Sequence, residues 1–220
     1  MNFMKKIKEK FSSKPKIFQY FDEAADNTYK LMDNLALAIK AFCNNNLIKI
    51  DEYAKLSIRL EEKLHQNYND IVDEIYSREV MTFSREDRQY MISQLTEIGD
   101  FAYFVIRRFE AHHPEINKAV SDILLSGVPF LRQSGKLIKN LVNNLLYDFE
   151  EAKTTIWELH NLQRKLWDYE LKFLKAIYKT NLKPENIIYY EIIMRNLKKI
   201  IMIMVRFGYG ARELILKYTL

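Results

Sequence analysis

Apolar side chains recur every three or four residues along almost the whole chain, which is the period of an amphipathic helix. In the first such stretch the apolar positions run from Phe18 to Ile39, and three asparagines at 44–46 then interrupt the pattern. The same criterion applied to the rest of the chain predicts six long helices. Their expected bounds are residues 16–43, 51–75, 84–113, 115–146, 148–179 and 184–220.

Several expected helix starts carry residue types that stabilise the first turn. Asp51 is a suitable N-cap, and Ser84 with Asp87 three residues later resembles a capping box. Pro184 suits the first position of a helix, where its missing N–H costs nothing. These signals support the starts of the second, third and sixth helices.

The composition excludes the main alternatives to a helical fold. The chain of 220 residues contains only 5 Gly and 4 Pro, too few for the regular turn clusters of a β-sandwich or barrel. Long helices with short connections predict an all-α, elongated bundle of about six helices, in which three helices are followed by three more in a pseudo-repeat. We expect a basic segment at 1–15, a first three-helix bundle at 16–113 and a second at 114–220, packed together as one domain.

Charge and cysteine content bear on location. The net charge is +5, and residues 1–16 hold six lysines against one glutamate. The longest apolar run, Ile200 to Val205, is far shorter than the ~20 residues of a membrane span. A single cysteine, Cys43, fits a reducing compartment and is expected to be a buried apolar residue. We therefore predict a cytoplasmic protein. Its basic first segment is a candidate for contact with a partner or with an anionic membrane surface on the inner face, and a solvated, frayed start is the open alternative. The residues expected to make that contact are Lys5, Lys6, Lys8 and Lys10.

Ligand-bearing side chains recur at helical spacing in the first half of the chain. Glu61 and His65 are four residues apart, which places both on one face of the second helix, and Thr96 and Asp100 share that spacing on the third. Carboxylate and imidazole groups on facing helices are how bundles bind metal ions, although a solvated polar face has the same pattern.

The aromatic residues of the fifth helix are expected in the core or at helix interfaces. They recur at bundle spacing and do not alternate with Lys or Arg as a base-stacking surface would, so no nucleic-acid partner is predicted. No Gly-rich phosphate loop, nucleophile elbow or zinc-protease motif is present. The aromatic residues in question are Trp157, Trp167, Tyr169, Phe173 and Tyr178.

Three stretches of the sequence resemble a known family. Residues 14–25 (KPKIFQYFDEAA) look like its lysine- and proline-bearing opening, and residues 60–65 (LEEKLH) look like its Glu-x-x-x-Asp metal motif. The strongest likeness is residues 82–87 (TFSRED), continuing to residues 95–100 (LTEIGD), which resemble the family's Thr-Pro-x-Asp-Arg-Glu-Asp turn and its second metal motif. The family is the PhoU-like group of phosphate transport regulators, whose small members are often encoded beside a low-affinity phosphate transporter.

The resemblance implies two three-helix bundles, homo-oligomers and cation sites on the bundle surfaces. It places a divalent or iron-type metal ion in the first bundle, with Glu61, His65 and Asp100 as ligands. His65 and Thr96 depart from the family pattern, since an Asp is expected at each position. In the second bundle the matching positions fall on Gln163 and Trp167, with Lys198 and Lys199 near the corresponding turn, which is unsuitable chemistry for a cation.

The leading functional hypothesis is a regulator of inorganic phosphate transport that acts by binding, with the cytoplasmic face of a phosphate transporter as its partner. It is not expected to be an enzyme. Two alternatives stay open. One is a metal-dependent hydrolase that uses Glu61, His65 and Asp100 as ligands, with Glu97 as the nearest carboxylate for a general base. The other is a purely structural helical interaction module.

Overall fold

The computed structural model describes residues 16–76 and 83–219, and within them every regular element is an α-helix. The predicted all-α fold with six long helices is therefore confirmed. The basic segment at 1–15, which includes the four lysines predicted to contact a membrane, and Thr82 lie outside the described residues. The helices are α1 (Lys16–Cys43), α2 (Leu47–Ile75), α3 (Arg85–Ala111), α4 (Lys118–Tyr147), α5 (Phe149–Ile177) and α6 (Pro184–Thr219).

The turn between α1 and α2 corrects one predicted helix start. Asn45 adopts a left-handed conformation with φ of 50°, and the backbone N–H of Asn46 donates to Ala41 O at 2.9 Å. Asn is among the few residues that tolerate this conformation. The side chain of Asn46 then accepts from Lys49 N at 3.1 Å and caps α2. The N-cap of α2 is therefore Asn46. The predicted N-cap, Asp51, was wrong and lies five residues further along the chain.

Two of the other predicted helix starts are as expected. Ser84 caps α3 by accepting from Asp87 N at 3.3 Å, and α6 begins at Pro184. The start of α3 is also tied to the end of α6, because Asp87 accepts hydrogen bonds from Lys217 and Tyr218. The sequence motif around Ser84 thus has a structural role at the junction of two helices far apart in the chain.

The first helix is central to the packing. α1 contacts α2, α3 and α4, while α3 also contacts α6 and α5 lies between α4 and α6. The outer helices α2 and α5 each rest mainly on two neighbours. The core between them is almost wholly apolar, and Cys43 is buried as predicted. Among the described residues no helix has the length and apolar content needed to span a membrane.

The aromatic residues of α5 are only partly where the sequence pattern placed them. Phe173 is fully buried, but Trp157 is 67% exposed, Trp167 53% and Tyr178 65%. The core-facing side of α5 is filled by Leu159 and by the other buried residues at helical spacing from it. Because α5 is an outer helix, both tryptophans and Tyr178 point to solvent, whereas Tyr169 is half-buried and packs against the core as predicted. The prediction of buried or interfacial tryptophans was wrong.

Candidate metal centre

Three ligand-bearing side chains meet where α2 faces α3. Glu61 and His65 stand one turn apart on α2, and Asp100 projects from α3 towards them. One ligand atom from each residue lies within 4.8 Å of the other two. The three predicted ligands are therefore brought together, and we refer to them as the α2–α3 cluster.

The imidazole of His65 is the middle member of this cluster. Its Nε2 lies 3.2 Å from Glu61 Oε1 and 3.0 Å from Asp100 Oδ1. Ligands of one tetrahedral cation with bonds of ~2.0 Å lie about 3.3 Å apart, so both distances suit a shared ion. They also suit a hydrogen bond between the imidazole and a carboxylate.

The donor set fits a divalent transition metal. One imidazole nitrogen and two carboxylate oxygens suit zinc, iron or manganese, whereas calcium and magnesium prefer oxygen ligands alone. The side chains of His65 and Asp100 are each 46% exposed and that of Glu61 is 25% exposed. A bound ion would therefore keep further coordination positions accessible from solvent.

A close approach of α2 and α3 determines where the cluster forms. Gly99 precedes Asp100, and Leu64 precedes His65; a methyl group on Gly99 would overlap the fully buried side chain of Leu64. The absence of a side chain at Gly99 lets the two helices come together at this level. Sequence reasoning missed this residue, although a lone glycine inside a helical pattern often indicates such an approach.

Thr96, which stands where a fourth ligand was expected, does not join the cluster. Its hydroxyl donates to Ile92 O at 3.0 Å within its own helix, and the residue is buried. Glu97 forms an ion pair with Arg206 of α6, which also donates to Gln94 at 3.0 Å. The carboxylate considered as a general base is therefore engaged on a different face of α3.

The corresponding face between α5 and α6 has different chemistry. The amide of Gln163 contacts the sulfur of Met202 at 3.8 Å, and Lys198 forms an ion pair with Glu170 at 2.7 Å. Trp167 points outwards. This face therefore presents an amide, a thioether and a Lys–Glu ion pair. The α2–α3 face presents two carboxylates and an imidazole in the corresponding place.

The hydrogen bonds to Asp87 stabilise the junction between α3 and α6. Burial alone would raise the pKa of this carboxyl, but hydrogen bonds from Lys217, Tyr218 and Ser84 outweigh it and hold the pKa below its usual value. Asp87 is therefore a charged structural residue in the first turn of α3, 13 residues before the ligand Asp100.

The six-helix arrangement and the α2–α3 cluster define a helical-bundle protein with one candidate cation site among the residues that the structure describes. No protein-family model matches the sequence, and no curated protein matches it. Among the solved structures that share the fold are two from Shewanella oneidensis MR-1.

One of them is a "putative PhoU-like phosphate regulatory protein" solved at 2.28 Å, with a TM-score of 0.79. The other is a PhoU-like protein solved at 2.00 Å, with a TM-score of 0.82. In each case the identity is 16%, and the match covers 91% of this chain and 99% of the other. The chain therefore has the PhoU-like fold that its sequence motifs predicted.

Proposed function

We propose that this protein is a non-catalytic regulator of inorganic phosphate transport that binds a cation at the α2–α3 cluster and a phosphate transporter through its surface. The observation that carries the proposal is the convergence of Glu61, His65 and Asp100 on a fold shared with a phosphate regulatory protein. The PhoU-like sequence motifs support it independently.

The role of the cation in this proposal is to join two helices. It would bridge His65, Glu61 and Asp100 and would thereby hold α2 against α3. Its open positions would remain available to water or to an anion from solvent.

Metal content is the first test. Untagged wild-type protein is compared by mass spectrometry with the variant Glu61→Ala/Asp100→Ala and with the control Glu62→Ala/Glu213→Ala, in which two exposed carboxylates outside the cluster are removed. We expect close to one transition-metal ion per chain in the wild type and the control, and a loss of at least tenfold in the cluster variant. Equal metal content in all three proteins would refute the cation site.

Phosphate uptake is the second test. Deleting the gene is expected to change the rate of radiolabelled phosphate uptake, and the wild-type gene is expected to restore it. Affinity capture of the transporter tests the partnership directly. Unchanged uptake together with no captured transporter would favour the purely structural module. The hydrolase alternative has less support, because Glu97 is engaged by Arg206 away from the cluster.

The proposal also places the protein at the cytoplasmic side of the membrane as a homo-oligomer. The basic residues Lys5, Lys6, Lys8 and Lys10 would contact anionic lipids there. Replacing all four by Gln is expected to reduce co-sedimentation with phosphatidylglycerol vesicles, while phosphatidylcholine vesicles serve as the control. Analytical ultracentrifugation measures self-association, and a purely monomeric protein would contradict that part of the proposal.

A further inference from the structure

A long groove runs between α4 and α5. It encloses about 790 Å³ and follows α5 from Lys165 to the end of the helix at Ile177, which at 1.5 Å per residue is a length of ~18 Å, or about three helical turns, and then reaches Thr180 in the following turn. Its floor and one wall are mainly apolar. The apolar groups are Ala119, Ile123, Phe130, Ala176 and the ring of Tyr169.

The residues that α4 presents to this groove follow a heptad spacing. Ala119, Ile123, Ser126 and Phe130 are four, three and four residues apart, and we call them the α4 stripe. That spacing is the a/d pattern with which one helix receives another. Within the described residues the α4 stripe is half-buried or exposed: Ile123 and Phe130 pack in part against the core, and their remaining surface lines the groove.

The α5 side of the groove carries the charge. Lys165, Lys172, Lys175 and Lys179, the groove lysines, are all exposed, and the only carboxylate lining the groove among the described residues is Asp168. Lys165 and Lys172 are seven residues apart on α5, as the flanking charges of a coiled coil are, and Lys179 lies just beyond the end of the helix.

The groove lysines differ from most other basic residues near them. Lys153 on the same helix pairs with Glu150, and Lys139 on α4 pairs with Asp26. None of the groove lysines has an ion pair with another described residue. The groove therefore presents four lysines against one carboxylate, a net charge of about +3, beside an apolar floor.

The floor is held in a fixed shape. The hydroxyl of Tyr169 donates to Ile123 O at 2.8 Å, and its ring lies over Gly127, where a methyl group would overlap it. Burial raises the pKa of Tyr169, so the hydroxyl stays protonated and continues to donate at neutral pH. A preformed floor lowers the cost of binding because little ordering is needed.

We propose that this groove binds an acidic amphipathic helix of about three turns from a partner protein. The partner's apolar positions would pack on the α4 stripe, and its flanking Glu or Asp residues would face the groove lysines. The occupant is not this chain's own first segment, because residues 1–16 hold six lysines and the groove lysines would repel them. The heptad spacing favours a helix over a lipid chain or a small anion, neither of which requires it. The inference requires neither the cation site nor the link to phosphate.

The test uses synthetic peptides of defined sequence. An 18-residue helix-stabilised peptide with Leu at the a and d positions and Glu at e and g is titrated against the full chain by fluorescence anisotropy. A second peptide has Lys at e and g. We expect the acidic peptide to bind at least about tenfold more tightly than the basic one, and its affinity to fall as salt is raised.

Two groove variants and one control locate the binding. Lys172→Glu/Lys179→Glu reverses charge in the groove, and Ser126→Trp fills it at an exposed position without changing charge; each is expected to weaken binding at least tenfold. Lys40→Glu/Lys63→Glu reverses two exposed lysines elsewhere and should leave the affinity within twofold. Circular dichroism checks that each variant retains its helix content.

The outcomes separate the occupants. Failure of the wild type to bind the acidic peptide, or binding that both groove variants retain, would overturn the proposal. Loss of binding to phosphatidylglycerol vesicles in the groove variants, with no peptide binding by the wild type, would overturn it in favour of a lipid surface. A change in metal content or phosphate uptake has no bearing on it.

Discussion

The faces α2–α3 and α5–α6 are built alike in their cores. Leu60 and Leu64 of α2 are buried four residues apart, and so are Leu162 and Leu166 of α5. Each pair fixes its outer helix against the rest of the bundle. The pattern of buried leucines is therefore the same in both halves of the chain.

The residue that follows each leucine differs between the halves. In α2 these residues are Glu61 and His65, which with Asp100 form a cluster of ligands. In α5 they are Gln163 and Trp167, one in contact with a thioether and the other in solvent. The comparison teaches that packing constrains the buried positions and leaves the adjacent exposed positions free to acquire or lose metal-binding chemistry.

The largest expected difference between the two faces is in stabilisation by metal. At a free concentration of 100 times the dissociation constant, a cation that binds only the folded state stabilises it by about 2.7 kcal/mol, or roughly 5–10 °C in a chain of this size. Thermal unfolding of metal-free protein, followed by circular dichroism, should show this shift on addition of zinc or manganese.

The matched variants decide which face is responsible. Glu61→Ala/Asp100→Ala should abolish the shift, whereas Gln163→Ala/Lys198→Ala on the other face should retain it. If the second pair abolished the shift and the first did not, the assignment of metal binding to the α2–α3 face would be wrong.

The second prediction compares two glycines at helix crossings. Gly99→Ala should destabilise the protein by about 1–3 kcal/mol, because the new methyl group overlaps Leu64 in a packed core. At Gly208 of α6 a methyl group would meet Leu159 of α5 at 3.6 Å, an ordinary contact. Gly208→Ala should therefore be neutral or stabilising by up to about 1 kcal/mol, through helix propensity.

Urea unfolding measures both changes. If Gly208→Ala were the more destabilising of the two, the inference that the α2–α3 crossing needs its glycine more than the α5–α6 crossing does would be wrong. Gly99→Ala should also weaken metal binding, because it separates His65 from Asp100.

Much of the fold could be predicted from local sequence, and the cluster from spacing and resemblance. Helical periodicity and the caps at Ser84 and Pro184 are properties of neighbouring residues, so the chain order of helices followed directly. The ligands on α2 were predicted from an i, i+4 spacing, and Asp100 from its motif.

The features that escaped prediction depend on which helix packs against which. The role of Gly99 requires knowing that Leu64 lies opposite, and the exposure of Trp157 and Trp167 requires knowing that α5 is an outer helix. The groove between α4 and α5 has the same origin. In the sequence alone its lysines are typical of a solvated helix face, and only the fold shows that the α4 stripe lies beside them.

The third prediction concerns Asp87, which joins the two halves at the start of α3. Because the pKa of Asp87 in the folded protein is lowered, its contribution is fully present above the unfolded pKa of ~3.9 and is lost as pH falls through the lower folded value. Asp87→Asn should cost about 1–2 kcal/mol at pH 7. The difference from the wild type should shrink below about pH 4. A penalty that stayed constant to pH 2 would show that the charge is not what stabilises the junction.

The smallest expected effect is at the tryptophans of α5. Trp167→Ala should change the free energy of unfolding by less than about 1 kcal/mol, because more than half of the side chain is in solvent, whereas Leu166→Ala beside it should cost about 2–5 kcal/mol. The chain has only two tryptophans, and both are exposed. Acrylamide should therefore quench the fluorescence of the folded protein almost as efficiently as that of the unfolded protein. Strong protection from quenching in the folded state would mean that a second copy or a partner covers this face of α5. The contrast with the ligand-bearing face of α2 would then be between two binding surfaces.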